Sequence, residues 1–324
     1  MDKAFLWLAR VGALLALTVV VLGAWVRLTD AGLGCPDWPT CYGQLVVSES
    51  IATDPAAAEL HRLRPLDTGK AWHEMIHRYL ASTLGLVCVA LAAIAWMNRR
   101  SPDQPWRVPL ILVGLVIFQG LLGMWTVTLL LKPIVVVGHL FGGLSTLALL
   151  FWLGRWRTAP LRVERSLRGL ALAALAALVL QIGLGGWTSA NYAALACPDF
   201  PTCQTQWWPE IADFDEAFVL WRGIGIDYEG GVLDHPARVA IHFTHRLGAV
   251  LAATLIGLLG FMLWRREDAR PDGAAILIAL LCQLTLGISI VVFGVPLWVA
   301  VAHNGVAAVL LLSVVNAHKR IWQP

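Results

Sequence analysis

Four histidines, His77, His139, His245 and His303, hold matching positions in the two halves of this 324-residue chain. Each falls inside a long apolar segment, roughly five to eight residues from one end. At about 1.5 Å of rise per residue, all four lie within some 8–12 Å of the same surface. Ionisable residues inside such segments mark functional sites. Two imidazoles facing each other from helices that run in the same direction can take both axial positions of an iron porphyrin. The structural alternative is a histidine that merely bonds to a neighbouring helix, and pairing plus duplication weigh against it. His73 and His242 share helix faces with His77 and His245 and are substitute ligands, but the His-Arg pairs are what the two halves have in common.

One position separates the halves. Glu74 stands three residues before His77, whereas His242 stands three before His245. Glu74 is the only carboxylate in any expected span and faces the same side as His77. It also precedes Arg78 by four residues, the favourable order for a helical ion pair. Arg246 lacks such a carboxylate, so Arg78 and Arg246 are read as ion-pair or propionate partners. The string His73-Glu74-Met75-Ile76-His77 matches the H-E-x-x-H zinc-protease pattern. A membrane zinc site needs a third ligand, and the second half breaks the motif. Cys35 with Cys41, and Cys197 with Cys203, lie in polar loops and oxidise to disulfides outside the cytoplasm. Loop shaping is their structural role and thiol–disulfide exchange the alternative. Cys88 and Cys282 read as small buried hydrophobes.

The elements that must position these residues are transmembrane helices. The chain is 58% hydrophobic and 14% charged, against roughly 25% charged in soluble domains. A net charge of +3 with dispersed Lys and Arg excludes a nucleic-acid-binding surface. Eight apolar runs are long enough to span a bilayer, at about 5–26, 72–96, 108–128, 134–154, 168–188, 237–264, 273–294 and 297–317. From Lys3 and Arg10, through Arg157 and Arg165, to Lys319 and Arg320, 15 of the 24 basic residues fall on one side, which is therefore cytoplasmic. Both termini lie there, and the long loops 27–71 and 189–236 face outward. Tryptophans near span ends, among them Trp25, Trp156 and Trp298, form an interfacial belt. Gly142-Gly143 and Gly183 to Gly186 allow close helix approach or leave room for a flat cofactor, and Gln119, Gln181 and Gln283 read as interhelical hydrogen-bonders.

The chain is duplicated. Trp25, Cys35 and Cys41 recur at Trp187, Cys197 and Cys203 with an offset of 162 residues. His77-Arg78 recurs at His245-Arg246, and Gln119, Gly123 and His139 recur at Gln283, Gly287 and His303. An even number of spans per unit gives both copies one orientation. The expected fold is an all-α integral membrane protein of eight helices, arranged as two parallel, pseudo-symmetric four-helix bundles over 1–160 and 161–324.

These residues resemble the haem A synthases, membrane enzymes related to cytochrome c oxidase assembly. The resemblance rests on the stretch from Gly23 to Pro39, on Glu74-Met75-Ile76-His77-Arg78, Gly138-His139-Leu140, His245-Arg246-Leu247 and Ala302-His303-Asn304. It implies that the C-terminal half holds haem b (a metal-binding cofactor site) between His245 and His303. It further implies that the N-terminal half binds the substrate, haem O, near His77 and His139 with Glu74 at the reacting site. The implied reaction oxidises the C8 methyl of haem O to a formyl group through an alcohol, with oxygen from water. A redox role for Cys35 and Cys41 follows by the same analogy, and their presence together with the lack of an Arg-rich presequence points to a bacterial inner membrane. Haem O synthase, cytochrome c oxidase assembly factors, membrane lipid and a second copy of the chain (a homo-oligomer) are the implied partners. The competing readings are a di-haem membrane cytochrome b, a quinone-linked disulfide oxidoreductase, a transporter and the zinc protease.

Overall fold

The computed structural model describes residues 3–155 and 158–323; Trp156 and Arg157, used above, lie outside the described residues. The described residues form ten α-helices: α1 (Lys3–Leu28), α2 (Ala58–Leu63), α3 (Thr68–Met97), α4 (Arg107–Thr128), α5 (Pro133–Gly154), α6 (Arg165–Ala190), α7 (Phe214–Ala217), α8 (His235–Trp264), α9 (Arg270–Val292) and α10 (Leu297–Trp322). All but the short α2 and α7 are long and apolar enough to cross a membrane. The protein is therefore an all-α, multi-pass membrane protein, and the eight expected runs match these helices to within a few residues.

The helix ends differ from expectation where polar residues cap them. Asp67 accepts from the amide of Lys70, and Asp234 accepts from that of Ala237, with Pro236 in the first turn of α8. These caps satisfy amides that the helix leaves unpaired and start α3 and α8 before their apolar runs begin. Likewise α9 begins at Arg270 and takes Asp272 into its first turn, where Asp272 pairs with Arg320 and accepts from Asn316 at 2.6 Å. Glu74 is therefore not the only buried carboxylate on a spanning helix.

The chain packs as two compact units, Met1–Leu150 with Leu220–Val232, and Phe151–Val219 with Leu233–Pro324. In the first, α1 packs on α3 and α3 on α4. Gly12 lets α1 approach both Val87 of α3 and Leu150 of α5. In the second, α8 packs on α6 and α9, and α10 on α6 and α9. Helix interiors are built largely from small residues, such as Ala9, Gly12 and Ala16 of α1 or Ala171, Ala174 and Ala177 of α6. Large apolar side chains, including Leu14, Leu86, Leu180 and Val250, point outward. This suits lipid, where close van der Waals packing rather than the hydrophobic effect brings helices together.

Each long loop contains the same small motif. Disulfides join Cys35 to Cys41 and Cys197 to Cys203. Inside the first, Asp37 accepts from the Thr40 hydroxyl and the amides of Tyr42 and Gly43. Inside the second, Asp199 accepts from the Thr202 hydroxyl and the amides of Gln204 and Thr205. Tyr42 and Gly43, and their counterparts Gln204 and Thr205, are left-handed. A β-branched residue such as Thr205, at φ 64°, rarely adopts that conformation, and the Asp199 carboxylate holds it there. The first loop adds its own core, in which Val47, Ile51, Ala57 and Met75 surround the disulfide. Tyr42 donates to the Arg64 carbonyl and stacks on His61, and burial pushes its phenol above the usual range.

Partial burial acts to raise the Asp199 carboxyl, but the bonds from Thr202, Thr205 and Gln204 outweigh it and hold the group below the usual carboxylate range. Because the folded value is depressed, the stabilisation is complete above the unfolded value and is lost as pH falls through the folded one. Hydrogen exchange of the Gln204 and Thr205 amides is expected to show constant protection from neutral pH down to about pH 4 and declining protection below it. Asp199→Asn should weaken the protection and remove its pH dependence.

Candidate functional site

Each of the four repeated histidines rests against a glycine on a neighbouring helix of its own unit. A methyl group added to Gly23 of α1 would meet Cε1 of His77 at 3.0 Å, and one on Gly185 of α6 would meet Cε1 of His245 at 3.2 Å. The same holds for Gly287 of α9 against His303, at 3.1 Å, whereas a methyl on Gly123 of α4 would make ordinary contact with His139, at 3.5 Å. Three of the imidazoles thus press into space that a side chain in place of the glycine would need. His77 and His139 belong to one unit, and His245 and His303 to the other.

Buried Nδ1 atoms of His77, His139 and His303 have no hydrogen-bond partner among the described residues. A buried polar atom left unpaired costs about 1–3 kcal/mol, so three at homologous positions call for a ligand. Paired imidazoles on glycine-lined notches, with nitrogens unspent, fit a planar iron porphyrin by shape and by donor chemistry. Gln181 holds the fourth ring, its Nε2 lying 3.0 Å from Nδ1 of His245, and Gln283 lies 3.1 Å from Nε2 of His303. Both bonds join neighbouring helices, as expected. Gln119 departs from expectation: it fills the space beside Gly142, and its Nε2 is unpaired.

Glu74 is buried, and its two oxygens have separate partners. Oε2 accepts from the Cys35 amide at 2.8 Å, and Oε1 accepts from Arg78 at 2.5 Å. In the second unit the Cys197 amide lies 3.2 Å from Nδ1 of His242. The unlike pair Glu74 and His242 therefore does one shared job, anchoring the first cysteine of a disulfide. His242 is accordingly engaged in the loop rather than spare, whereas His73 packs edge-on against Trp25. Gly34 is required here, since a Cβ would lie 2.6–2.8 Å from the backbone of Lys70 and Ala71.

The arginine after each histidine completes the anchor. Arg78 donates to the carbonyls of Asp37, Pro39 and Thr40 at 2.7–3.3 Å. Arg246 donates to those of Cys197, Asp199 and Thr202 at 2.6–2.7 Å. Sequence reasoning assigned both guanidiniums to anions and missed these carbonyls, which carry no signature in residue type. It named Gly23 and the run Gly183 to Gly186 but did not pair Gly23 with Gly185, whose 162-residue offset equals that of the tryptophan and cysteine repeats. For the H-E-x-x-H string, no group of three or more His, Cys, Asp or Glu able to hold a metal exists among the described residues, and Glu74 is turned toward the loop. Cys88 is buried as expected, whereas Cys282 is exposed on α9.

The model of a family described as cytochrome oxidase assembly protein matches residues 6–315. Similar curated relatives are a heme A synthase of Shewanella oneidensis, 44% identical over 98% of this chain and 96% of that protein, and one of Sphingopyxis alaskensis, 31% identical over 97% and 91%. A third, from Caulobacter vibrioides, is 31% identical over 98% of this chain and 96% of its own length.

Replacing Arg246 by Gln removes three charge-assisted bonds, each worth about 1.5–3 kcal/mol. Thermal unfolding of the purified protein should show a loss of roughly 3 kcal/mol after partial rearrangement. Arg246→Lys should recover only part of it, because a lysine cannot spread its donors over three carbonyls.

Proposed function

Because the chain belongs to the cytochrome oxidase assembly family that includes the heme A synthases, we propose that it converts haem O to haem A. The observation that carries this reading is the pair of imidazoles seated on glycines, found once in each unit, with unpaired buried nitrogens. His77 and His139 hold the substrate, and His245 and His303 hold a resident haem b. When bound, haem b supplies one-electron redox chemistry to carry electrons away from the substrate site. Conversion of the C8 methyl to a formyl group takes one water and releases four protons and four electrons overall, passing through the alcohol.

The chain's own groups act around the reacting carbon. The imidazoles fix the macrocycle, and their glycine seats fix the imidazoles. Glu74 lies one helical turn before His77, and its carboxylate can stabilise developing positive charge or accept a proton from the attacking water. Its bonds to Cys35 and Arg78 hold it in one place, so little reorganisation is needed when charge develops. The Cys35–Cys41 disulfide is tied to that carboxylate through the Cys35 amide, which puts a thiol–disulfide couple beside the reacting group. In this reading the disulfide loops face the outside of a bacterial inner membrane and both termini are cytoplasmic. Haem O synthase and the oxidase assembly factors are the partners that would deliver substrate and take product.

One observation favours a second reading, a di-haem cytochrome b. Glu74 and His242 do the same anchoring work, so Glu74 has a structural role without any catalysis. Loss-of-ligand variants separate the two. His77→Ala should abolish haem A formation while leaving the reduced-minus-oxidised spectrum of the second-unit haem b intact; simultaneous loss of both haems would refute the division of labour. Glu74→Gln keeps an oxygen for the Cys35 amide but removes the charge. It should retain substrate and slow methyl oxidation by roughly 100-fold, the usual scale for an acid–base group. Unimpaired turnover would leave Glu74 as a loop anchor and favour the cytochrome.

A further inference from the structure

Residues 220–232 follow the second disulfide loop in sequence but pack with the first unit. This strap is fastened at three places. The Tyr228 amide donates to the Leu130 carbonyl at 3.0 Å, and its ring is buried with Leu33, Val127 and Leu131. Arg64 pairs with both Asp227, at 2.7 Å, and Glu229, at 2.5 Å. Lys132, in the turn between α4 and α5, donates to the Gly223 carbonyl and sits 3.4 Å over the Trp221 ring.

Lys132 is the unusual member. It is 1% exposed, yet no carboxylate among the described residues pairs with it. The two acids of the strap are already paired with Arg64. Of the three donors on its ammonium, one is used by a neutral carbonyl. A buried charge without a counter-charge is costly, and such charges are paired or meet a ligand. Arg78, the arginine beside His77, is already paired with Glu74 and surrounded by loop carbonyls. Lys132 also belongs to one half alone, since the 164-residue offset that relates His139 to His303 puts Pro296 at its place.

Its position suits a porphyrin rim. Lys132 caps the start of α5, its carbonyl accepting from Val135 and Val136, and it precedes His139 by seven residues. Seven residues are nearly two turns, so the two lie along one helix face about 10 Å apart. A porphyrin with its iron at the imidazole extends its propionates over that span.

We propose that Lys132 is a substrate-recognising residue of the first unit, receiving a propionate carboxylate of the porphyrin, while Gly223 and Trp221 of the strap hold its ammonium from the other side. This rests on the haem-site reading above and adds to it the group that recognises the substrate's carboxylates. It also gives the strap a function: it presents the lysine to the bundle and closes the loop end behind it.

The test uses the full-length protein in nanodiscs with its second unit loaded, titrated with ferric protoporphyrin IX and with its dimethyl ester, and read by the absorbance change that His77→Ala abolishes. The wild type should bind the free acid roughly tenfold more tightly than the ester, the scale of one charge-assisted bond. In Lys132→Met that ratio should fall to near one, and in Lys132→Arg it should persist. Lys132→Gln, which keeps a donor for the Gly223 carbonyl, should lose the ratio as Lys132→Met does even if the methionine variant loosens the strap. Equal ratios in the wild type and the uncharged variants, with binding still dependent on His77, would overturn this assignment alone. Absence of any His77-dependent binding would overturn the haem-site reading and this assignment with it.

Discussion

A guanidinium ringed by backbone carbonyls ties each disulfide loop to the helix that bears a buried histidine. Three carbonyls converge on Arg78 and three on Arg246. Their convergence depends on the loop's curl, which the disulfide closes and the aspartate inside it stabilises. One residue earlier on each helix, the imidazole turns into the bundle. Loop and ligand position are thus coupled through adjacent side chains on opposite sides of one helix turn. Dipoles fixed in place meet the Arg246 charge, and Glu74 joins them at Arg78, which suits a site beside a low-dielectric membrane.

Within the bundles the same economy of space governs the histidines. Helix interiors of alanine and glycine bring backbones close, and three of those glycines, Gly23, Gly185 and Gly287, yield their Cβ volume to an imidazole. A side chain at Gly23, Gly185 or Gly287 would displace the ring it faces by a few tenths of an ångström. Exposed leucines and valines on the outer faces contribute solubility in lipid rather than specificity.

The units differ where function should differ. Glu74 and His242 occupy equivalent anchoring positions with unlike chemistry, and only the first unit receives the strap, the Arg64 clasp and the buried Lys132. A duplicated scaffold therefore carries one copy augmented with charge and one without.

Helix number, span limits and the repeat were legible in the residues, because a membrane demands about 20 apolar residues per span and duplication preserves spacing. Disulfide pairing was legible for a similar reason: six residues separate partners whose segment is curled by Pro and Asp. That the four repeated histidines sit on spanning helices followed from their offset and the apolar runs around them. The Glu74–Arg78 ion pair was legible from its spacing, but which carbonyls the arginines bind, what Glu74 and His242 share, and where residues 220–232 lie were not. The partners of these groups are mostly backbone carbonyls and amides, which every residue possesses, so side-chain identity could not name them. The strap joins Arg64 to Asp227 and Glu229 across more than 160 residues, with no repeat or periodicity to record the contact. The sequence alone determined which segments are apolar enough to enter the membrane and which histidines recur in the two halves; only the folded chain decided which backbone atoms meet each charge, because that depends on loop curvature and chain return.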